Sequence, residues 1–257
     1  MIKVKNLSAG YQGKDVIHQI SMSFFPGKVT VLLGPNGSGK STVLKATLGL
    51  IPYTNGKIYY EETEIHQMKR KEIAKQASYL TQCRNDVSIR ALHMVLHGRF
   101  PHLSYPRTYG KKDYEIARNA MKQAGCLEYE ERNMRELSGG QKQSVYFAMA
   151  LAQETKTVFM DEPTTYLDIC HQLHMMEIAR KLAEDGKAVV LVLHDLSMAL
   201  RVADVIGVLE EGKLIQVGSP EEIYNSGVLE DVFQIKVHKM DTPHGVQYYY
   251  GGKIEER

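Results

Sequence analysis

Apolar residues follow two different periods along this chain. Val29-Thr30-Val31-Leu32-Leu33 is a short apolar run that enters a glycine-rich stretch, and Ser41 to Leu50 follows it as a helix. Ile58-Tyr59-Tyr60 reads as a further strand after an Asn55-Gly56 turn, and Met1 to Leu7 alternates apolar and polar residues as a strand does. From about Val87 to Gln153 the spacing becomes helical, as in Ile116, Ala117, Ala120, Met121 and Ala124. Strands return at Thr157-Val158-Phe159-Met160 and at Ala188 to Leu193, separated by a helix from Gln172 to Glu184 that Gly186 closes. Apolar strands alternating with helices imply a parallel sheet covered on both faces. The expected fold class is therefore α/β, with a β-rich amino-terminal part, a core of about residues 1–86 and 154–235, and an inserted α-helical subdomain at about 87–153. Beyond about residue 235, Val237 to Met240 and Val246 to Tyr250 flank Pro243-His244-Gly245 and can form a hairpin, leaving 236–257 as an extension.

Length and charge narrow the function. A chain of 257 residues with 43% hydrophobic content suits one domain, or a core with an insertion. With 32 basic against 30 acidic residues there is no electrostatic case for a nucleic-acid partner or a polybasic membrane anchor. Cys83, Cys126 and Cys170 are odd in number and widely spaced, as in a reduced interior. The amino terminus lacks a signal peptide's apolar run. The longest apolar run, Ala188 to Leu193, falls far short of the ~20 residues of a membrane helix. A soluble protein is expected, whose work at a membrane would need another subunit.

Gly34-Pro35-Asn36-Gly37-Ser38-Gly39-Lys40-Ser41 matches G-x-x-x-x-G-K-[ST] between a strand and a helix. Its glycines let backbone N–H groups turn towards phosphate oxygens, the helix start adds roughly half a positive charge, and Thr42 continues that first turn. Lys40 suits the β- and γ-phosphates of ATP, and the Ser41 hydroxyl suits Mg²⁺. A second apolar strand ends in Asp161-Glu162, which would bring two carboxylates to the carboxyl edge of the sheet. Asp161 is the candidate Mg²⁺ ligand and Glu162 the candidate general base.

Leu137-Ser138-Gly139-Gly140-Gln141, lying between those motifs, resembles the signature of ABC ATPases, and the chain is identified as a member of that family over residues 1 to about 235. The resemblance implies a P-loop NTPase core of RecA-like type. It also implies that Ser138, Gly139, Gly140 and Gln141 open a helix that binds the γ-phosphate held by a second copy of the chain. Tyr11 corresponds to an aromatic residue that stacks on adenine, and Gln82 to a glutamine that senses Mg²⁺ and the γ-phosphate. Asp168 corresponds to a loop residue that communicates across the dimer, and His194 to the switch histidine that orients Glu162. The implied partners are a second copy, transmembrane permease subunits and, indirectly, a substrate-binding protein. The implied location is the cytoplasmic face of the membrane, held there through the permease.

Gly98-Arg99-Phe100-Pro101-His102 resembles a GRxPH stretch of ATPases serving iron–siderophore, haem and cobalamin importers, as does Pro163-Thr164-Thr165-Tyr166-Leu167-Asp168 before His171-Gln172. Import of an iron(III) chelate is the reading this supports. Import of free zinc or manganese is the alternative within transport, and iron–sulfur assembly the alternative outside it. Cys170, Ser144 and Ser197 depart from the usual pattern, at positions where serine, arginine and asparagine are common. Cys170, His171 and His174 open a helix with metal-ligand spacing between Cys170 and His174, but no further ligand is evident, and a solvated face is expected. His93, His97 and His238 have no evident partner in the sequence.

Overall fold

The computed structural model describes residues 1–81, 87–165, 167–243 and 245–253. Strands β1 (Ile2–Tyr11), β2 (Lys14–Phe24), β4 (Tyr53–Tyr60) and β5 (Thr63–Glu64) form an antiparallel sheet in the order β2-β1-β4-β5. Strand β3 (Val29–Leu33) enters a second sheet and leads to helix α1 (Lys40–Thr47). Helix α2 (Arg70–Gln76) runs into β6 (Ala77–Leu80), and α3 (Ala91–Leu96), α4 (Lys111–Gln123) and α5 (Gly139–Ala152) separate β6 from β7 (Thr157–Asp161). Next along the chain are α6 (Ile169–Glu184), β8 (Ala188–Val192), α7 (Leu196–Val202), β9 (Val205–Glu210) and β10 (Lys213–Gly218). Helices α8 (Pro220–Asn225) and α9 (Val228–Phe233) precede a two-stranded hairpin of β11 (Ile235–Thr242) and β12 (Gly245–Lys253).

The second sheet has the order β10-β9-β3-β8-β7-β6, parallel from β9 to β6 with β10 antiparallel at its edge. Every residue of β3, β7 and β8 is buried, as strands covered on both faces require. The period of two sorts them between two cores. Val29, Val31, Leu33, Val158, Met160, Val189 and Leu191 join the helices, whereas Leu32, Phe159, Val190 and Val192 face α1 and the antiparallel sheet. Phe24 of β2 meets Phe159 of β7 edge-on, with ring centroids 5.6 Å apart.

Helix boundaries come from capping. At the end of α6, Gly186 has φ of 85°, its N–H reaches Ala183 and the Lys187 N–H reaches Leu182, at 2.8 and 3.0 Å. The same closure at Gly49 stops α1 three residues short of the Leu50 that its apolar pattern suggests. Helix α6 begins three residues before Gln172 because the Asp168 carboxylate accepts from the His171 N–H at 2.9 Å. Asn55-Gly56 corrects a local reading: it lies inside β4 rather than in a turn. Gly56, with φ of 94°, sits at a register shift opposite β1, where an added Cβ would be 2.5 Å from the Asn6 carbonyl oxygen. Pairing with β1 overrides the turn preference and uses the glycine as a bulge.

Candidate functional site

Strand β8 lies between β3 and β7, all three run parallel, and the segments leaving their carboxyl ends therefore converge. After β3 comes the loop from Gly34 to Gly39, after β7 the Glu162 carboxylate, and after β8 His194. The loop is tightly seated. An added Cβ on Gly34 would run into the Leu209 carbonyl oxygen, and one on Gly39 would be 2.5 Å from Ile17 of β2. Pro35 is half-buried, Asn36 and Gly37 are exposed, and Ser38 is buried with its hydroxyl unpaired. Lys40 is buried, and its ammonium donates to the Gly34 and Pro35 carbonyls at 2.8 and 2.9 Å. Burial pushes its pKa below the ordinary lysine value, against the pull of the Glu162 and Asp161 carboxylates. Thr42 is buried within α1.

Across the loop, the Asp161 carboxylate is nearly buried and held at both oxygens. Ser41 Oγ donates to one at 2.8 Å, and the Tyr79 hydroxyl donates to the other at 2.8 Å. Glu162 takes φ of 49°, a left-handed backbone that a non-glycine residue adopts at a cost of about 1–3 kcal/mol. That turn swings its side chain to His194, whose Nε2 is 2.7 Å from Oε1. A carboxylate only accepts, so this contact requires a proton on Nε2.

The remaining candidates lie on other elements. Ser138 caps α5: its hydroxyl accepts from the Gln141 N–H at 3.3 Å, and the Gln141 side chain accepts from the Ser138 N–H at 2.9 Å. A Cβ on Gly139 would meet nothing within 4 Å, and one on Gly140 would touch only Leu167, so the first turn of α5 is bare. Helix α5 packs on α3, α4 and β6. Asp168 is exposed, and its pKa is lowered by the backbone N–H and then the ring of His171, whose Nδ1 is 2.8 Å away. Tyr11 is exposed at the turn between β1 and β2, the strand that abuts Gly39. Gln82 and Tyr166 lie outside the described residues. Among the described residues no group of histidines, cysteines and carboxylates is arranged to hold a metal ion, and His174 instead lies over Gly125 and near Glu177. His238 stacks on Tyr249, and His97 meets Phe100 edge-on.

Three supporting residues are not among the site candidates read from the sequence. Tyr79 lies in an ordinary apolar strand. Gly212, in the turn between β9 and β10, donates to the Ser38 carbonyl at 3.2 Å and accepts from the His18 N–H at 2.8 Å, and its position leaves no room for a Cβ beside Val16. Gln143 of α5 donates to the Pro163 carbonyl at 3.3 Å, tying the signature helix to the residue after Glu162.

The sequence model of the ABC transporter family matches residues 17–165, more than half of the chain. The chain is an ABC transporter ATP-binding protein. It is 37% identical to the iron(3+)-hydroxamate import ATP-binding protein FhuC of Bacillus subtilis, over 94% of this chain and 91% of that protein. It is 33% identical to the ferric enterobactin transport ATP-binding protein FepC of Escherichia coli, over 94% and 90%. A dimeric bacterial ABC transporter cassette superposes with a TM-score of 0.76 at 28% identity, covering 86% of this chain and 99% of that one. A chain of an inward-facing ABC transporter assigned to the metal-chelate type gives 0.83 at 25% identity, over 97% and 96%. The fold is that of a P-loop NTPase, and the protein is an ATPase of the ABC class.

In this ABC ATPase the Gly98–His102 stretch is a staple anchored by the buried Gly98 and Arg99, with Phe100 exposed. Arg99 donates from Nη1 to the Ala152 carbonyl at 2.7 Å and to Glu154 at 2.8 Å, and from Nε to Asp113 at 3.1 Å. Gly98 leaves no space for a Cβ against the Met149 carbonyl. His102 Nε2 is 2.9 Å from the Gln153 carbonyl, and the Gln153 amide donates to Ala74 and Ala77 at 2.5 and 3.2 Å. The stretch thus joins α4 and the end of α5 to α2 and β6.

Proposed function

We propose that the chain energises an importer of iron(III) chelates, working as a pair of identical subunits that hold ATP between them beneath a membrane permease. The observation that carries the nucleotide site is the convergence of the Gly34–Ser41 loop, Asp161, and the Glu162–His194 pair at one edge of the parallel sheet. The loop N–H groups and Lys40 would bind the β- and γ-phosphates, with phosphate oxygens taking over from the carbonyls that now hold the ammonium. Ser41 and Asp161 fit Mg²⁺: both offer oxygen, and a hydroxyl that donates its proton to a carboxylate keeps its lone pairs for a cation. Gln82 completes that proposed set. When bound, the ion neutralises charge on the phosphates. Glu162, oriented by the His194 Nε2–H, would take the proton of the attacking water, a role typically contributing about 10²–10⁴-fold in rate. Tyr11 would stack on adenine.

The bare first turn at Ser138, Gly139, Gly140 and Gln141 suits the γ-phosphate of a partner's nucleotide, with Asp168 beside that junction. A phosphate gripped by both chains closes the pair, and hydrolysis removes the grip. Among the described residues no helix is long and apolar enough to cross a membrane, so transport would require permease subunits and, indirectly, a substrate-binding protein. That arrangement puts the chain at the cytoplasmic face. The names of the curated relatives support a ferric chelate as cargo.

Glu162→Gln is expected to retain binding of a fluorescent ATP analogue while losing turnover by about 10²-fold or more. Native-rate hydrolysis by that variant refutes the assignment of the base. With the permease reconstituted, ATPase stimulation by ferric hydroxamates or catecholates, and not by free zinc or manganese, tests the cargo.

A further inference from the structure

Asp161 is held by two hydroxyls that reach it from different elements. Ser41 belongs to the phosphate-loop helix, and Tyr79 to β6, the edge strand that pairs with β7 one residue at a time from Ala77–Thr157 to Leu80–Met160. That register sets the Tyr79 backbone beside Phe159, two residues before Asp161, and the length of the tyrosine ring carries its hydroxyl to Oδ2 at 2.8 Å. The half-buried ring packs against the core beneath the antiparallel sheet and lines a surface groove with Leu48, Ile73 and Ala77, outside the phosphate loop. A nearly buried carboxylate with four lone-pair sites and one hydroxyl partner could turn about its side-chain bond. The second hydroxyl removes that freedom and leaves Oδ1 aimed at Ser41.

We infer that Tyr79 is a positioning residue for the cation of Mg²⁺–ATP: by holding Oδ2 of Asp161, it pre-sets the carboxylate whose other oxygen faces Ser41. This role rests on the nucleotide-site reading above. Outer partners of metal-binding carboxylates typically change metal affinity 10–100-fold when removed. The hydrogen bond that defines the role ends on Asp161 and not on the phosphate loop, so its loss should fall on the ion-dependent part of nucleotide binding.

The test uses the full chain and Tyr79→Phe, which keeps the ring and the groove and removes only the oxygen. Binding of a fluorescent ATP analogue is titrated with Mg²⁺, beside the same measurement in chelator. The expected result is a half-saturating Mg²⁺ concentration raised about 10-fold, with chelator affinity unchanged. In an Asp161→Asn background the same substitution should shift the Mg²⁺ dependence far less, because the proposed role runs through the Asp161 carboxylate. A Mg²⁺ titration of Tyr79→Phe that superposes on the native one overturns the inference, and so does an equal loss of affinity in chelator. If native binding takes no notice of Mg²⁺, the nucleotide-site reading fails, and the role of Tyr79 fails with it.

Discussion

Removing the Arg99 guanidinium should destabilise the fold rather than alter cargo recognition. The side chain is 6% exposed and meets Asp113, which is 16% exposed, and Glu154, which is 53% exposed. Breaking a buried ion pair by deleting one partner costs about 3–5 kcal/mol. Glu154 rehydrates easily and adds little. The cost therefore falls on Asp113 and on the Ala152 carbonyl, which loses its donor, and about 3 kcal/mol is expected for Arg99→Ala. For a chain of this size that lowers the melting temperature by about 6–12 °C. Arg99→Lys keeps the charge but not the fork, and should cost about 1–2 kcal/mol. The effect depends on pH. Burial would raise the Asp113 pKa, but the Gly110 N–H and then Arg99 outweigh it and hold that pKa below the ordinary carboxylate value. A depressed pKa stabilises the native state above the unfolded value and is lost as pH falls, so the gap between native and Arg99→Ala should narrow below about pH 4. Thermal melts from pH 3 to 8 read both effects. An Arg99→Ala protein that melts with the native one but responds to different ferric chelates would refute the structural reading of this stretch.

Two shorter expectations concern the phosphate loop and the thiols. Gly34→Ala forces a Cβ against the Leu209 carbonyl at φ of 154°, and should lower ATP-analogue affinity by at least about 10-fold while circular dichroism stays native; unchanged affinity would mean that the loop shifts without consequence. Burial pushes the Cys126 thiol up to about 12, whereas Cys170 is exposed. Peptide mapping after brief alkylation at pH 8 should therefore find Cys170 modified and Cys126 intact, and rapid labelling of Cys126 would refute its burial.

The motifs were legible because each is local. A phosphate loop needs a strand end, glycines and a helix start within a few residues, and Gly34 to Ser41 carry all of these in order. The capping box at Ser138 and Gln141 is likewise written within four consecutive positions. Helix ends were less legible, since Gly49 and Asp168 act through backbone angles and caps that an apolar pattern does not register. Asn55-Gly56 misled for the opposite reason: its local preference is real, and pairing with β1 uses it differently.

Composition and order along the chain determined the class of this protein: alternating strands and helices, a loop suited to phosphate, and a carboxylate pair at a strand end. Only the tertiary structure decided what holds those groups. The Tyr79 hydroxyl meets Asp161 across 82 residues, Gly212 braces Ser38 from the far side of the sheet's chain order, and Arg99 joins α4 to the end of α5 across 53. Such contacts depend on strand register and on the room left by a missing Cβ. Both are properties of neighbours in space, and side-chain spacing along a sequence does not encode them.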